Sequence, residues 1–255
     1  MIRDLMRSKP VQTAQADWVK ENSFTSTASP QTESSAKAES TFALAIASQK
    51  IPTVAHFCQV SMQVLDDLPG LRDYIDSSLI FYLKLKEETE ILSGDGLGVH
   101  MSGLTTQATA YAGTYTTAGD TKIDTLNRYI TELRMADENP TGIVLNPIDY
   151  HNIIGVKTEQ GGANKGSYVV GDPAGGYLTV QTLWGLPTVV SRSMSSGKVL
   201  VGDFSKAIMA DRMDAIVEMS NSHASNFTAN ILALRAELRS CVCCLRPGAF
   251  RFGSI

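Results

Sequence analysis

Apolar positions change their spacing several times along this chain, and each change marks an element. Phe42, Leu44 and Ile46 alternate with other residues, and Val54, Phe57, Val60, Met62 and Val64 follow beyond Ile51-Pro52, so the stretch from 42 to 65 reads as strand. From Leu71 the interval widens to three or four: Leu71, Ile75, Leu79, Tyr82 and Leu83 recur through Leu92, with Arg72, Asp73, Asp76, Lys84, Lys86, Glu87 and Glu88 on the other faces. That spacing predicts one amphipathic helix of about six turns. Its start is expected at Leu65–Pro69, with Asp67 as the cap and Pro69 in the first turn, where a missing N–H costs nothing. Its end is expected at Ser93-Gly94-Asp95-Gly96-Leu97-Gly98, where glycines permit a tight reversal.

Beyond a Thr-, Ala- and Gly-rich stretch at 105–121, read as loop or irregular strand, Ile123, Leu126, Tyr129, Ile130 and Leu133 predict a second helix over Lys122–Met135. Gly142–Asn146 reads as a short buried strand, and Asn146-Pro147 as the cap and first residue of another helix. Further strands are expected at 168–170, 178–182, 188–190 and 199–201, giving an α/β or α+β unit over about 125–205. From Leu232 to Cys244 every even position is apolar or small, while Arg235, Glu237 and Arg239 share the odd face. Period two over that length predicts a long, half-buried strand ended by Pro247.

Residues 11–41 fit none of these patterns. They are rich in Ser, Thr, Gln and Ala, with Trp18, Val19 and Phe24 scattered among Lys20, Glu21 and Glu33. Such a segment has too little apolar surface to fold alone, so it is a flexible arm or a two-stranded excursion held by neighbours.

Composition narrows the chemistry. The 255 residues are 43% hydrophobic and 19% charged, which excludes disorder throughout, and a formal charge of −4 with no basic stripe argues against a specific nucleic-acid reader. No apolar run reaches the roughly 18 to 20 residues that a membrane helix needs. Cys58, Cys241, Cys243 and Cys244 offer one C-x2-C pair without a second and no nearby His, so they read as buried small hydrophobes in a reducing compartment, with no metal site. The Gly94–Gly98 cluster follows a helix and lacks a Lys-Ser or Lys-Thr pair, which makes it a turn and not a phosphate cradle. His56, His100, His151 and His223 have no nucleophile at a defined spacing. Asp66, Asp67, Glu87, Glu88 and Glu90 are expected on a solvated or subunit-contacting face. No motif for catalysis emerges, so an enzyme is not expected.

Several short segments occur in an order that is similar to the major capsid proteins of tailed phages sharing the HK97 fold. They include Phe24-Thr25, Lys37–Ser40, Val54–His56, Gln63–Asp67, Lys86–Glu88 with Leu92–Gly96, Gly142–Pro147, Trp184–Pro187, Asp211–Asp214 and Arg246-Pro247, and the resemblance spans about 2–255. It implies an α+β, HK97-like capsid fold with a long spine helix, an extended E-loop hairpin, a P domain and an α/β A domain. On that division residues 1–11 are a residual N-arm, 12–52 the E-loop, 53–125 with 205–255 a discontinuous P domain, and 126–204 the A domain. The implied function is structural: self-association into the pentamers and hexamers of an icosahedral virion shell, assembled in the host bacterial cytoplasm. That shell encloses double-stranded DNA without binding it specifically. Portal, scaffold or decoration proteins are the implied partners, and no cofactor or membrane is. An encapsulin-like nanocompartment shell is the alternative use of the same architecture.

Some members of the family weld subunits through a Lys–Asn isopeptide bond with a Glu as proton acceptor. The resemblance places those roles on Lys37, Asn230 and Glu237, with Met213 in the surrounding pocket. Gln31 and Arg235 stand where two other pocket residues are apolar in the self-linking relative, and the alternation of the last strand makes an ordinary Arg235–Glu237 ion pair the competing reading. Relatives also carry a longer N-arm, and many a scaffolding domain. Met1 is followed almost at once by the family's Ile2–Leu5 segment, so the expectation is a chain shortened at its start.

Overall fold

The computed structural model describes residues 1–68, 70–157, 182–224 and 226–255. Their strands form two sheets and a ribbon. The first sheet has β1 (Arg7–Pro10), β10 (Ala207–Ser220), β11 (Ile231–Cys244) and β4 (Thr53–Ser61) in the order β1-β10-β11-β4. The second has β5 (Thr109–Ala110), β12 (Phe250–Ser254), β9 (Lys198–Gly202), β6 (Gly142–Leu145), β8 (Leu186–Val190) and β7 (Thr182–Leu183), in the order β5-β12-β9-β6-β8-β7. The ribbon pairs β2 (Gln15–Thr25) with β3 (Thr41–Lys50), antiparallel.

The long period-two strand is β11, and its buried even positions from Leu234 to Cys244 face inward as the alternation requires. Helix α2 (Leu71–Ser93) packs Leu79 and Leu83 on Leu234, Ala236 and Leu238, burying the stripe that the spacing predicted. Tyr82 departs from that stripe and is exposed. The companion strand β10 is absent from the sequence reading. Its register shifts between Asp211 and Met213 and again between Met213 and Ile216, and these bulges break the alternation that would have revealed it.

Two boundaries differ from expectation. The strand-like stretch ends at Ser61, and Met62 and Val64 belong to a short helix, α1 (Met62–Asp67). Asp67 therefore closes α1 and does not cap the long helix, which starts at Leu71 after Gly70. Gly70 has φ +94°, a left-handed turn open to glycine and to few other residues, and this redirects the chain between the two helices; Pro69 lies outside the described residues. The helix ends at Ser93 as predicted. Within the stretch read as loop, a short helix, α3 (Leu104–Gln107), precedes β5.

Helix α4 (Lys122–Met135) matches its expected range and is capped reciprocally, Thr121 accepting from the Asp124 N–H while Asp124 accepts from Thr121. The Asn146 side chain accepts from the Ile148 N–H and Pro147 opens α5 (Pro147–Ile154), also as expected. The strands expected at 188–190 and 199–201 are β8 and β9; the one at 168–170, and 178–181 of another, lie outside the described residues. Leu126, Tyr129, Ile130 and Leu133 pack on Ile143, Leu145, Val199 and Val201 to make the core of the second sheet. That sheet also recruits β5 and the C-terminal β12 from distant parts of the chain.

Of the carboxylates expected at a solvated or contacting face, Asp66 and Asp67 are exposed, but Glu87, Glu88 and Glu90 are buried. The last turns of α2 pass between the two sheets, where Ile91 and Leu92 join a core that includes Val144 and Leu200 from one sheet and Val242 from the other. Polar residues there must find internal partners.

Candidate assembly interface

Among the described residues the ribbon is anchored only at its base. The Trp18 indole N–H donates to the Cys244 carbonyl at 2.9 Å, the Glu21 N–H to Leu245 O at 2.8 Å, and the Ile51 N–H to Ala14 O at 3.0 Å. From residue 22 to 44 every position is exposed. A bulge between Glu21 and Ser23 shifts the register so that Phe24 stands opposite Phe42, where the rings stack at 4.3 Å. Val19 faces Ile46 across the ribbon, so Val19, Phe24, Phe42, Leu44 and Ile46 make an apolar stripe on one face. Ile46 is 84% exposed. An isolated two-stranded ribbon is marginal in water, and one showing such a stripe is built to be covered.

At the ribbon's far end Lys37 is exposed and its ammonium donates to Ser35 O at 3.1 Å, while the Gln31 amide donates to the Ser29 hydroxyl at 2.8 Å. Asn230 is exposed in the turn before β11, at φ +53°, and its carbonyl accepts from the Met62 N–H at 2.8 Å. Glu237 is half-buried on β11, roughly 20 Å along the strand from Ile231 at about 3.3 Å per residue. One chain therefore does not bring Asn230 and Glu237 together, and a reaction using both needs them from different copies.

Arg235 supplies the ion pair anticipated for that face. Its guanidinium lies 2.6 Å from Glu218 and 3.4 Å from Glu237. Met213 sits at the β10 bulge opposite Arg239 and lines a cleft of about 400 Å³ with Glu87 and Leu238.

Sequence reasoning missed the polar seam on the last turns of α2. Glu87 accepts from Arg3 at 2.6 Å and from the Ser240 hydroxyl, and Arg3 also reaches Asp211 at 2.5 Å. Glu88 accepts from the Ile2 N–H at 2.9 Å and from Ser191 Oγ at 2.8 Å. Glu90 meets Lys86 at 2.9 Å and His100 at 3.1 Å; burial opposes its charge, but these two hydrogen bonds hold the carboxyl below its ordinary value. The readable signal was Ile91-Leu92 directly after the glutamates, apolar positions that extend the stripe around the helix.

His56 Nε2 lies 2.9 Å from Leu79 O, His100 is on Glu90, and the His223 ring stands edge-on to Phe57. Among the described residues no group of three or more His, Cys, Asp or Glu could hold a metal ion, and no helix is long and apolar enough to cross a membrane.

A long helix laid on one sheet, a second sheet packed on its far end and an extended ribbon anchored only at its base define an HK97-like capsid fold. The chain belongs to the phage capsid family, whose sequence profile matches residues 1–255. It is 37% identical over 254 residues to the major capsid protein of Enterobacteria phage HK97, covering 99% of this chain and 64% of that relative. Similar solved structures include the capsid of a native GTA particle computed with C5 symmetry (TM-score 0.74, 16% identity, 98% of this chain and 88% of the other). Another is from Gordonia phage Cozz (TM-score 0.72, 17% identity, 99% and 85%).

Proposed function

We propose that this chain is the shell subunit of a phage virion, a major capsid protein that self-associates into pentamers and hexamers around double-stranded DNA. The observation that carries this reading is the apolar stripe on a ribbon that its own chain leaves uncovered. Laid over a neighbouring copy, that stripe contributes about 25 cal/mol per Å² of apolar surface removed from water, repeated at every contact of a closed shell. The ribbon then serves as the E-loop (12–52), α2 as the spine of the P domain (53–125 with 205–255), strands β6 to β9 of the second sheet as the centre of the A domain (126–204), and 1–11 as the N-arm. The formal charge of −4 suits a wall that encloses DNA without gripping it. Portal, scaffold and decoration proteins are the further partners this role calls for, and host cytoplasm is where it places assembly. The relatives matched are phage capsid proteins, which favours this reading over an encapsulin-like compartment.

The same reading assigns a covalent step to Lys37, Asn230 and Glu237 of three copies. The Lys37 amine loses its proton to Glu237 and attacks the Asn230 carboxamide carbon; an amide forms and ammonia leaves. The solvent-facing position of Lys37 at the ribbon tip supports it, since the amine bonds within its own loop, to Ser35 O, and points to where another subunit would lie on this reading.

Electron microscopy and denaturing intact mass of particles from the complete gene product test both levels. Closed shells are expected, with multimers each lighter than the sum of their chains by one ammonia per bond, and with Lys37→Ala giving monomer alone. A strictly monomeric, compact protein would overturn the shell reading; shells that denature to monomer would overturn only the covalent step.

A further inference from the structure

The cysteines of β11 have no part in assembly as proposed above; all three are buried, as the sequence predicts, but two of them share a face of the sheet with cations. In the four-stranded sheet Arg7 pairs with Ile208 and Ile208 with Cys243, while Lys9 pairs with Ala210 and Ala210 with Cys241. Partners directly opposite share a face, so two thiols and two cations stand on one side of the sheet. The ribbon base crosses that side and leaves a groove of about 410 Å³, whose walls include Lys9, Gln12, Asp17 and Trp18 and whose floor includes Ile208 and Cys243. Arg7 and Lys9 are exposed and make no ion pair among the described residues.

We infer that Cys243 is a covalent modification site whose groove admits a small anionic disulfide of the glutathione class. The Cys243 thiol gives its proton to solvent. The thiolate attacks one sulfur of the disulfide, the S–S bond breaks, a Cys243–S–S–R bond forms, and the second half leaves as a thiolate that takes up a proton. Arg7 and Lys9 supply the positive field that favours both the thiolate and an anionic reagent.

The neighbouring thiol distinguishes Cys243 from the other three. The Cys241 thiol beside it draws the Cys243 thiol down, with help from Lys9 and against burial. The same pairing, together with burial, raises Cys241. Burial pushes Cys244 up to about 11, and burial with Asp76 raises Cys58. Asp17 is the acidic group on the groove wall, Lys20 is the cation near Cys244, and Asp211 acts on Cys241 from the other face of the sheet, where Arg3 and Ser8 hold it. An adduct in this groove displaces the ribbon base at Trp18, so thiol chemistry couples to the element that reaches a neighbouring copy.

The full-length chain, exposed briefly to oxidised glutathione at neutral pH, quenched in acid and mapped by peptide mass, tests this. Cys243, only 5% exposed, is expected to carry the adduct about tenfold ahead of the more open Cys58. Cys241→Ala should slow the reaction and move its pH midpoint upward, and Cys241→Ser, which keeps a donor, should restore much of the rate. Lys9→Gln should slow oxidised glutathione more than the neutral hydroxyethyl disulfide. Labelling of Cys58 first, or of Cys243 only after denaturation, would overturn the assignment, as would a Cys243 rate indifferent to both Cys241 variants.

Discussion

Glu88 and Ser191 join helix α2 to the second sheet through a buried hydrogen bond of 2.8 Å, from a hydroxyl just beyond β8 to a carboxylate on the helix. The other Glu88 oxygen accepts from the Ile2 N–H, so one side chain ties the N-terminal segment, α2 and the second sheet. Removing it strands two buried donors, at about 1–3 kcal/mol each. Glu88→Ala should therefore lower the unfolding free energy of the unassembled chain by about 3 kcal/mol, read from urea titration. Glu88→Gln should cost less, because its amide oxygen still serves Ile2 and the Ser191 hydroxyl can turn to accept from its NH2. Equal losses for both variants would mean that the pairing contributes nothing beyond the packing of the side chain.

The apolar stripe of the ribbon makes the opposite prediction. Ile46 and Phe42 are exposed within one chain, so Ile46→Asp or Phe42→Ser should leave the melting temperature of the unassembled protein nearly unchanged. Either should reduce shell formation sharply in light scattering and electron microscopy, because the proposed cover of the stripe is another copy. A drop in melting temperature comparable to a core substitution would place the stripe against its own chain.

These two cases show where the sequence was informative. β11 and the first turns of α2 were legible because each buries one face against one partner, and a single period survives: Leu234, Ala236 and Leu238 at two, Leu71, Ile75 and Leu79 at three to four. The last turns of α2 were not, because burial on both sides removes the polar face and turns Glu87 and Glu88 from surface groups into internal acceptors. β10 was hidden by its bulges at Asp211 and Met213. Lys37, Asn230 and Glu237 came from family resemblance alone. Spacing within one chain cannot point to groups proposed to meet between copies.

Glu90 carries a pH dependence whose sign follows from its partners. Burial works against its charge, and the hydrogen bonds from Lys86 and His100 outweigh it, so the folded chain binds this proton less tightly than the unfolded one, whose ordinary value is 4.5. The resulting stability is present above that value and is lost as pH falls through it and through the lowered folded value. Glu90→Gln should thus be less stable than the unsubstituted chain at pH 7 and approach it in acid. Lys86 and His100 are about half exposed, which keeps the gap small. Urea unfolding across acid to neutral pH measures it, and a gap that widens in acid would reverse the assignment.

The helix terminator separates glycines that do different things within one loop. A Cβ on Gly94 would lie 2.2 Å from Met101 O and 2.7 Å from Glu90 O, both backbone atoms, and one on Gly103 would lie 2.6 Å from the Gly94 nitrogen and from Leu92 O. These two residues let the loop close against the end of α2, with the Gly103 N–H bonded to Gly94 O at 2.9 Å. Gly98 meets nothing within 4 Å and needs only its φ of +61°. Gly98→Ala should consequently cost about 1–2 kcal/mol, the left-handed penalty alone. Gly94→Ala and Gly103→Ala should each cost more, because backbone must move out of the way and take Glu90 and Leu92 with it. Thermal unfolding of the three variants ranks them directly. If Gly98→Ala proved as damaging as Gly94→Ala, the loop would owe its shape to dihedral freedom throughout, and close approach to the spine helix would have no part in ending it.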